Sequence, residues 1–593
     1  VSHVSATESA TASDTSRATT SATASDTSRA TTSAAAFGAL LDGSDPASGP
    51  FGAAANAELD RREDFPAEAC AALDALGLPA HYVDVRHGGR LRDMPELVGL
   101  QRAVARRDLT VAVAHGKTFL GAAPVWLAGR PDQAARLAGS VRHGAVVSWA
   151  LTERDHGGDL LAGGLTARPV PGGGWRLDGE KWLINNAGRS RYVCLLARTR
   201  ESGGPRGFSV FLVDKTRLVP GSYRVLPKVR THGIRGADIS GIAFDGAVID
   251  DDALVGEAGT GLDTVLRTLQ LTRVLCTALS LGALDHALDV AVPYARGRNL
   301  YGRDLATLPR VRRTLGEAAA ALDVAETVVD VAARAIHTLT PELALVSAVT
   351  KALVPNLVQD TLDRITELLG VRGFLSEGYL DGSFAKLERD HRIVAVFDGS
   401  TAVTRNLTAD HFPSLARAWR GGRARRAALP ATVTGPLPPF APERLRLLSA
   451  GSTVVELLPE AAGEVRRAAR HGMLPRETAR MAAELEAVTR AVHRTMESLD
   501  RTPRDVPQAA FDLAERYELC FAGAAVLHRW TAGPRTADAG LRLRAGLALV
   551  LGRLGLPIDE RRAEAHDRLA DGLLGPAHHS LTLPSPRQQE GPR

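Results

Sequence analysis

Gly174-Trp-Arg-Leu-Asp-Gly-Glu-Lys-Trp-Leu-Ile-Asn185 interleaves apolar and polar residues at a period of two, with one glycine inside it. That is the pattern of a half-buried strand. Tyr192–Arg198, Phe208–Asp214 and Ile239–Ile249 repeat it between glycine turns, so residues 141–250 are expected to form a β-domain. On both sides the period changes to three and four. Residues 57–140, through Ala67–Leu78 and Glu96–Asp108, read as an N-terminal helical domain, and residues 251–418 read as a helical bundle. Helices, then a β-domain, then helices is an α+β architecture.

The ends differ in composition. Residues 1–56 hold two tandem copies of Ser-Ala-Thr-Ala-Ser-Asp-Thr-Ser-Arg-Ala-Thr-Thr, at Ser9–Thr20 and Ser21–Thr32, and few large apolar side chains. Such a stretch buries too little to offset the entropy of ordering, so a disordered leader is expected. An Arg-rich run at Arg420–Arg426 and five prolines from Pro430 to Pro442 mark a linker over 419–442. Residues 443–574 read as an additional helical domain and 575–593 as a polar tail.

The chain has 593 residues, of which 45% are hydrophobic, and a formal net charge of +5. Its arginines are interleaved with acidic residues, so no nucleic-acid partner follows from the charge. Arg466, Arg467, Arg470 and His471 are expected on a solvated helix face rather than against a membrane. Cys70, Cys194, Cys276 and Cys520 are too scattered for a metal motif, which predicts no metal and a reducing, cytoplasmic setting. No continuous apolar run reaches the roughly 20 residues of a membrane span.

Leu387-Glu-Arg-Asp-His-Arg-Ile-Val-Ala-Val-Phe-Asp-Gly-Ser-Thr-Ala-Val-Thr-Arg405 carries the candidate chemistry. Asp398 precedes Gly399 and Ser400. A carboxylate on a turn beside glycine can project into a pocket while the turn's N–H groups stay free for an oxygen, so one segment offers a base and an oxyanion donor.

With its neighbours, this segment resembles the acyl-CoA dehydrogenase family of flavoproteins over residues 58–413. Ala150–Asp159 is similar to the family's Thr-Glu-Pro-x-x-Gly-Ser-Asp segment: Thr152 and Glu153 match, Arg154 replaces proline and Gly158 replaces serine. Gly179–Ala187 resembles the Gly-x-Lys-x-Trp-Ile-Thr-Asn strand, with Leu183 at the tryptophan and Asn185 at the threonine. Gly233–Gly236 and Gly256–Leu262 have counterparts, the latter beside the acyl pocket. Thr272-Arg273 and then Tyr294–Gly302 follow, the second resembling Tyr-x-x-x-Arg-x-x-Phe-Gly. Glu367–Phe374 resembles Gln-x-x-Gly-Gly-x-Gly, with Glu367 for glutamine and Val371 for glycine, and Asp398 stands at the glutamate of Glu-Gly-Thr.

The resemblance implies an acyl-CoA dehydrogenase-like fold and FAD as cofactor, held by Leu151, Thr152, Leu183, Ile184, Asn185, Arg298, Tyr301, Gly370, Gly373 and Ser400. Arg298 would pair with the pyrophosphate and Tyr301 pack on adenine. Gly370 and Gly373 belong to the segment that reaches a neighbouring subunit's FAD in relatives. Gly158, Arg273 and Gly399 would face substrate. Asp398 would remove the proton α to the carbonyl of an acyl-CoA or acyl-carrier-protein thioester, flavin N5 would accept hydride from the β-carbon, and a trans-2-enoyl thioester would leave. Electron-transferring flavoprotein is the implied acceptor. Asp is one carbon shorter than the family's Glu, and Thr272 occupies the position at which some members carry the base instead. Two further readings stay open: oxygen-using oxidase or monooxygenase chemistry, since nitroalkane oxidases share the fold and use Asp, and a catalytically weak binding or assembly role. The added helical domain is laid out like that of very-long-chain acyl-CoA dehydrogenases, where such helices occupy the tetramer surface, so a homodimer is expected. An Ala-, Arg- and Gly-rich composition permits biosynthetic as well as fatty-acid metabolism.

Overall fold

The computed structural model describes residues 34–42, 49–500, 502 and 505–575. Among the described residues six α-helices come first: α1 (Ala34–Asp42), α2 (Ala53–Arg62), α3 (Ala67–Ala75), α4 (Met94–Arg107), α5 (Leu109–Ala128) and α6 (Pro131–Arg142). Aspartates set two of their starts. The Asp93 carboxylate accepts from Glu96 N–H at 2.9 Å to cap α4, and Asp108, which ends α4, accepts from Val111 N–H at 3.0 Å to begin α5.

Strands β1 (Val147–Ala150), β2 (Thr166–Pro169), β3 (Trp175–Asn185), β4 (Tyr192–Arg198), β5 (Phe208–Asp214), β6 (Tyr223–Leu226), β7 (Ile239–Ile249) and β8 (Leu254–Val255) build one sheet in the order β6-β7-β3-β2-β4-β5-β8, with β1 parallel to β4. β3 and β7 are antiparallel, pairing Trp175 with Ile249 and Asn185 with Ile239. The register slips between Trp182 and Ile184, leaving Leu183 as an unpaired bulge residue at φ 59°. The sheet extends past the expected boundary at residue 250, because Val255 pairs back onto Val210.

The bundle follows: α7 (Gly261–Gly297), a ribbon of β9 (Asn299–Leu300) and β10 (Arg303–Asp304), α8 (Pro309–Thr338), α9 (Leu343–Leu369), α10 (Val371–Phe374), α11 (Ser383–His391), α12 (Thr401–Asp410) and α13 (Phe412–Gly421). Both α7 and α9 are long and apolar enough to cross a membrane by composition, yet 89% of each apolar window is buried inside the molecule. They are core helices. α14 (Leu429–Val433) and α15 (Thr453–Glu456) lead to α16 (Leu458–Arg470), α17 (Arg476–Ser498), α18 (Gln508–Ala532), α19 (Ala537–Arg553) and α20 (Glu560–Leu574).

One apolar core runs from the N-terminal helices through the bundle into the C-terminal helices, while the sheet keeps a second core around Leu177, Leu195, Phe211 and Ile242. Gly316 lets α20 seat on α8, since a Cβ there would run into the carbonyl of His566. Arg313 and Asp567 bridge the same helices at 2.7 Å.

Two expectations change. The region expected as leader to residue 56 contains α1, whose Phe37 is 2% exposed and whose Leu41 is also buried against the core. Spacing of four places both on one helix face, an apolar stripe that averaged composition conceals. The repeat at Ser9–Thr32 lies outside the described residues, as does the tail beyond residue 575. The segment expected as a linker is docked: the Arg334 guanidinium donates to the carbonyls of Ala431 and Gly435, and the His337 ring meets the Pro438 carbonyl at 3.0 Å.

Candidate active site

Asp398 sits where α5, α7 and α9 converge. It has φ 56° and Gly399 has φ 105°. Asp is among the few residues that enter the left-handed region readily, and glycine tolerates the second value. Ser400 then leaves the turn as N-cap of α12, its hydroxyl oxygen accepting from Val403 N–H at 3.4 Å. Among the described residues the N–H groups of Asp398 and Gly399 have no hydrogen-bond partner.

Three cations hold this turn. From α7, Arg273 Nε donates to the Asp398 carbonyl at 3.1 Å. From α9, Lys351 Nζ donates to the Gly399 carbonyl at 3.0 Å. From α5, Lys117 Nζ lies 3.5 Å from Asp398 Oδ2, the oxygen that also accepts from Cys276 Sγ at 2.9 Å. Burial, with Asp398 adding to it, pushes the Cys276 thiol well above its ordinary value, so it stays protonated and donates. Lys351 is 0% exposed. Burial pulls it down to about 8, against the fields of Cys276 and Asp398. Burial likewise pulls Arg273 down to about 10, with Asp398 opposing. Phe397 lies beneath two of these cations, its ring centroid 4.0 Å from Lys117 Nζ and 5.8 Å from Lys351 Nζ.

The β-domain approaches the same helix. Asn185 Nδ2 donates to the Val113 carbonyl at 3.1 Å, one turn of α5 before Lys117. The bulge holds Leu183 out of the ladder and exposed, with Ile184 buried behind it. The Thr152 hydroxyl donates to the Trp182 carbonyl at 2.8 Å, tying the Thr-Glu segment to β3. Glu153 and Lys181 explain one another: they pair at 2.8 Å, Lys181 also donates to the Leu151 carbonyl, and Glu153 accepts from Gly164 N–H and Leu165 N–H. These two motif residues brace the loop. Gly158 faces α12, where a Cβ would stand 3.8 Å from Val403 Cγ2. Gly233 has a similar structural use, its neighbour Ile234 N–H donating to Asp390 Oδ1 at 2.7 Å.

Asp398, Gly399, Ser400 and Arg273 are thus brought together, while Leu151, Thr152, Leu183, Ile184 and Asn185 lie in the β-domain, which touches α5 through Asn185. Arg298, Tyr301, Gly370 and Gly373 are elsewhere, around the C-terminal ends of α7 and α9. Arg298 is roughly 37 Å from Arg273 along α7 at the helical rise. There the guanidinium carbons of Arg298 and Arg372 lie 5.7 and 5.8 Å from the Tyr294 ring. Tyr301 and Gly302, both at positive φ, form the turn of the β9–β10 ribbon and leave Tyr301 93% exposed.

Sequence reading missed Lys117, Cys276, Lys351 and Phe397. Lys351 had a signal, a lone lysine in the apolar run of α9. Lys117 had none.

The group that the sequence resemblance implies, FAD, fits what is present. Among the described residues Asn185 Oδ1 and Thr272 Oγ1 are buried without partners, the two turn N–H groups are unbonded, and Leu183 is an exposed apolar side chain on the strand of Asn185. A planar ring with a polar edge satisfies such a set.

The comparisons agree. The N-terminal, middle and C-terminal domain models of acyl-CoA dehydrogenase match residues 52–144, 148–247 and 259–412. A probable acyl-CoA dehydrogenase, fadE25, of Mycobacterium leprae is 30% identical over 350 residues, which is 59% of this chain and 88% of the relative. The fold resembles butyryl-CoA dehydrogenase of Megasphaera elsdenii, at TM-score 0.56 and 22% identity over 60% of this chain and 92% of that one. It also resembles an acyl-CoA dehydrogenase complexed with FAD from Bacillus anthracis, at TM-score 0.61 and 19% identity over 90% of each chain, a likeness that takes in C-terminal helices. The three domain models together span more than half of the chain, and the chain belongs to the acyl-CoA dehydrogenase family, FAD-dependent oxidoreductases that dehydrogenate acyl thioesters.

Proposed function

We propose that the chain dehydrogenates an acyl-CoA or acyl-carrier-protein thioester at its α,β bond, with Asp398 as the base. The observation that carries this reading is the turn itself. Among the described residues one carboxylate oxygen of Asp398 has no hydrogen-bond partner, and neither has the N–H of the same residue. The thioester carbonyl accepts from the Asp398 N–H, which acidifies the α-carbon, and the α-proton passes to the carboxylate. Bound flavin supplies the hydride acceptor for the β-hydrogen, so that a trans-2-enoyl thioester is the product. Arg273 and Lys351 hold the two carbonyls of the turn away from the substrate, which keeps the N–H groups pointed inward.

In this reading Leu151, Thr152, Leu183, Ile184, Asn185 and Ser400 hold the flavin end of FAD, and Gly158 and Gly399 border the substrate. Arg298, Tyr301, Gly370 and Gly373 are too distant to serve the same cofactor and belong to that of a second copy. The exposed apolar residues beside them, Val371 and Phe374 (83% exposed), support a homodimer through this end. Electron-transferring flavoprotein is the proposed acceptor and the cytoplasm the proposed setting.

The test is anaerobic. Saturated acyl-CoAs and acyl-carrier-protein thioesters are added to the flavin-loaded protein and to Asp398→Asn, and flavin bleaching is followed. Bleaching by one class in the wild type only is expected. Equal bleaching by the variant, or a bound flavin that no thioester bleaches, contradicts the proposal.

A further inference from the structure

We propose that Lys117 is a positioning residue that decides which oxygen of Asp398 receives the proton. The inference rests on Asp398 being the base and adds how that base is aimed. Lys117 Nζ and Cys276 Sγ both meet Oδ2, at 3.5 and 2.9 Å, and Oδ1 has no hydrogen-bond partner among the described residues. Rotation of an Asp carboxylate about its last bond is broad and roughly two-fold. Without a fixed partner its two oxygens are interchangeable. With one oxygen held by an ammonium and a thiol, the other is presented to the pocket in a single orientation.

Lys117 is itself fixed. Its ammonium lies 4.0 Å from the Phe397 ring centroid, so two consecutive residues of the turn, Phe397 and Asp398, engage one cation. The other charged or titratable groups facing Asp398 are Arg273 and Cys276 from α7 and Lys351 from α9. Arg273 and Lys351 direct their hydrogen bonds to the carbonyls of Asp398 and Gly399. Two cations therefore hold the backbone of the turn, and Lys117 is the cation that contacts the carboxylate.

Flavin bleaching by saturated acyl-CoAs, butyryl-CoA to palmitoyl-CoA, is measured by anaerobic stopped flow as a function of thioester concentration in wild type, Lys117→Met, Lys117→Arg and Asp398→Asn. In Lys117→Met the maximal bleaching rate is expected to fall about 10–100-fold, the scale of a misplacement near 1 Å, with little change in the half-saturating thioester concentration. Lys117→Arg restores most of the rate. A Lys117→Met protein with the wild-type maximal rate, beside an inactive Asp398→Asn, overturns the role of Lys117 and leaves the base in place. An Asp398→Asn protein that bleaches normally removes the base and this inference with it. Lys117→Gln, which keeps a polar head, gives the same reading if the methionine variant fails to retain flavin.

Discussion

At the residue scale the site is a left-handed turn held by its carbonyls. Gly399 has φ 105°, and a Cβ there would come within 3.3 Å of Arg273 Nε and 3.5 Å of Thr404 Cγ2. Gly399→Ala therefore meets backbone strain and a crowded guanidinium at once. Strain of this kind costs about 1–3 kcal/mol. The variant is expected to melt lower and to bleach more slowly even when saturated with FAD, measured by thermal unfolding and anaerobic stopped flow. The choice of Asp over Glu at 398 agrees with the local backbone, since a left-handed position suits Asp and its short side chain reaches both Lys117 and Cys276. Asp398 and Arg273 were legible in the sequence because each sits in a local motif. The link of Lys117 to Asp398 was not, because the two lie 281 residues apart and only tertiary packing joins them.

At the element scale, periodicity gave the main divisions correctly. The switch from two to three and four residues marks the sheet between helices, and the bulge at Leu183 occurs in the very stretch that resembles the family's flavin-facing strand. Composition was a poorer guide than periodicity at the N-terminus. Phe37 and Leu41 are two apolar residues in a region otherwise read as too polar to fold, yet α1 packs against α4, with Ala34 so close that a Cβ on Gly99 would stand 2.7 Å from its own. Phe37→Ala is expected to destabilise the protein by about 3 kcal/mol, the usual cost of truncating a buried aromatic, read as a lower urea midpoint. No shift would restore the disordered leader. The Pro-rich segment was misjudged for a related reason. Its carbonyls are the partners of Arg334 and His337, and no sequence pattern reports a carbonyl's partner.

For the whole molecule, the C-terminal helices are fastened to α12, the helix that follows the Asp398 turn. Arg405 of α12 pairs with Glu518 of α18 at 3.0 Å and with Glu515 at the same distance. Burial pushes the Glu518 carboxyl up to about 7, with Arg405 opposing. Its ordinary value is 4.5. Between those values the folded chain keeps a proton that the unfolded chain releases, so stability falls as pH rises through the window and the loss is complete above it. Asp323, also raised to about 7 by burial against the pull of Arg542, adds to the same trend. Glu518→Gln should flatten the dependence of the melting temperature on pH between about 4.5 and 7, by up to roughly 3 kcal/mol in the underlying stability. A slope identical to that of the wild type would show that Glu518 titrates normally.

The central claim is that Asp398 takes the α-proton. Its most direct measurement is single-turnover flavin bleaching by butyryl-CoA with and without deuterium at C2, in wild type and in flavin-loaded Asp398→Asn. Slower bleaching with the deuterated thioester in wild type, and none with either thioester in the variant, is the expected result. Bleaching of Asp398→Asn at the wild-type rate, with the same response to deuterium, would contradict it.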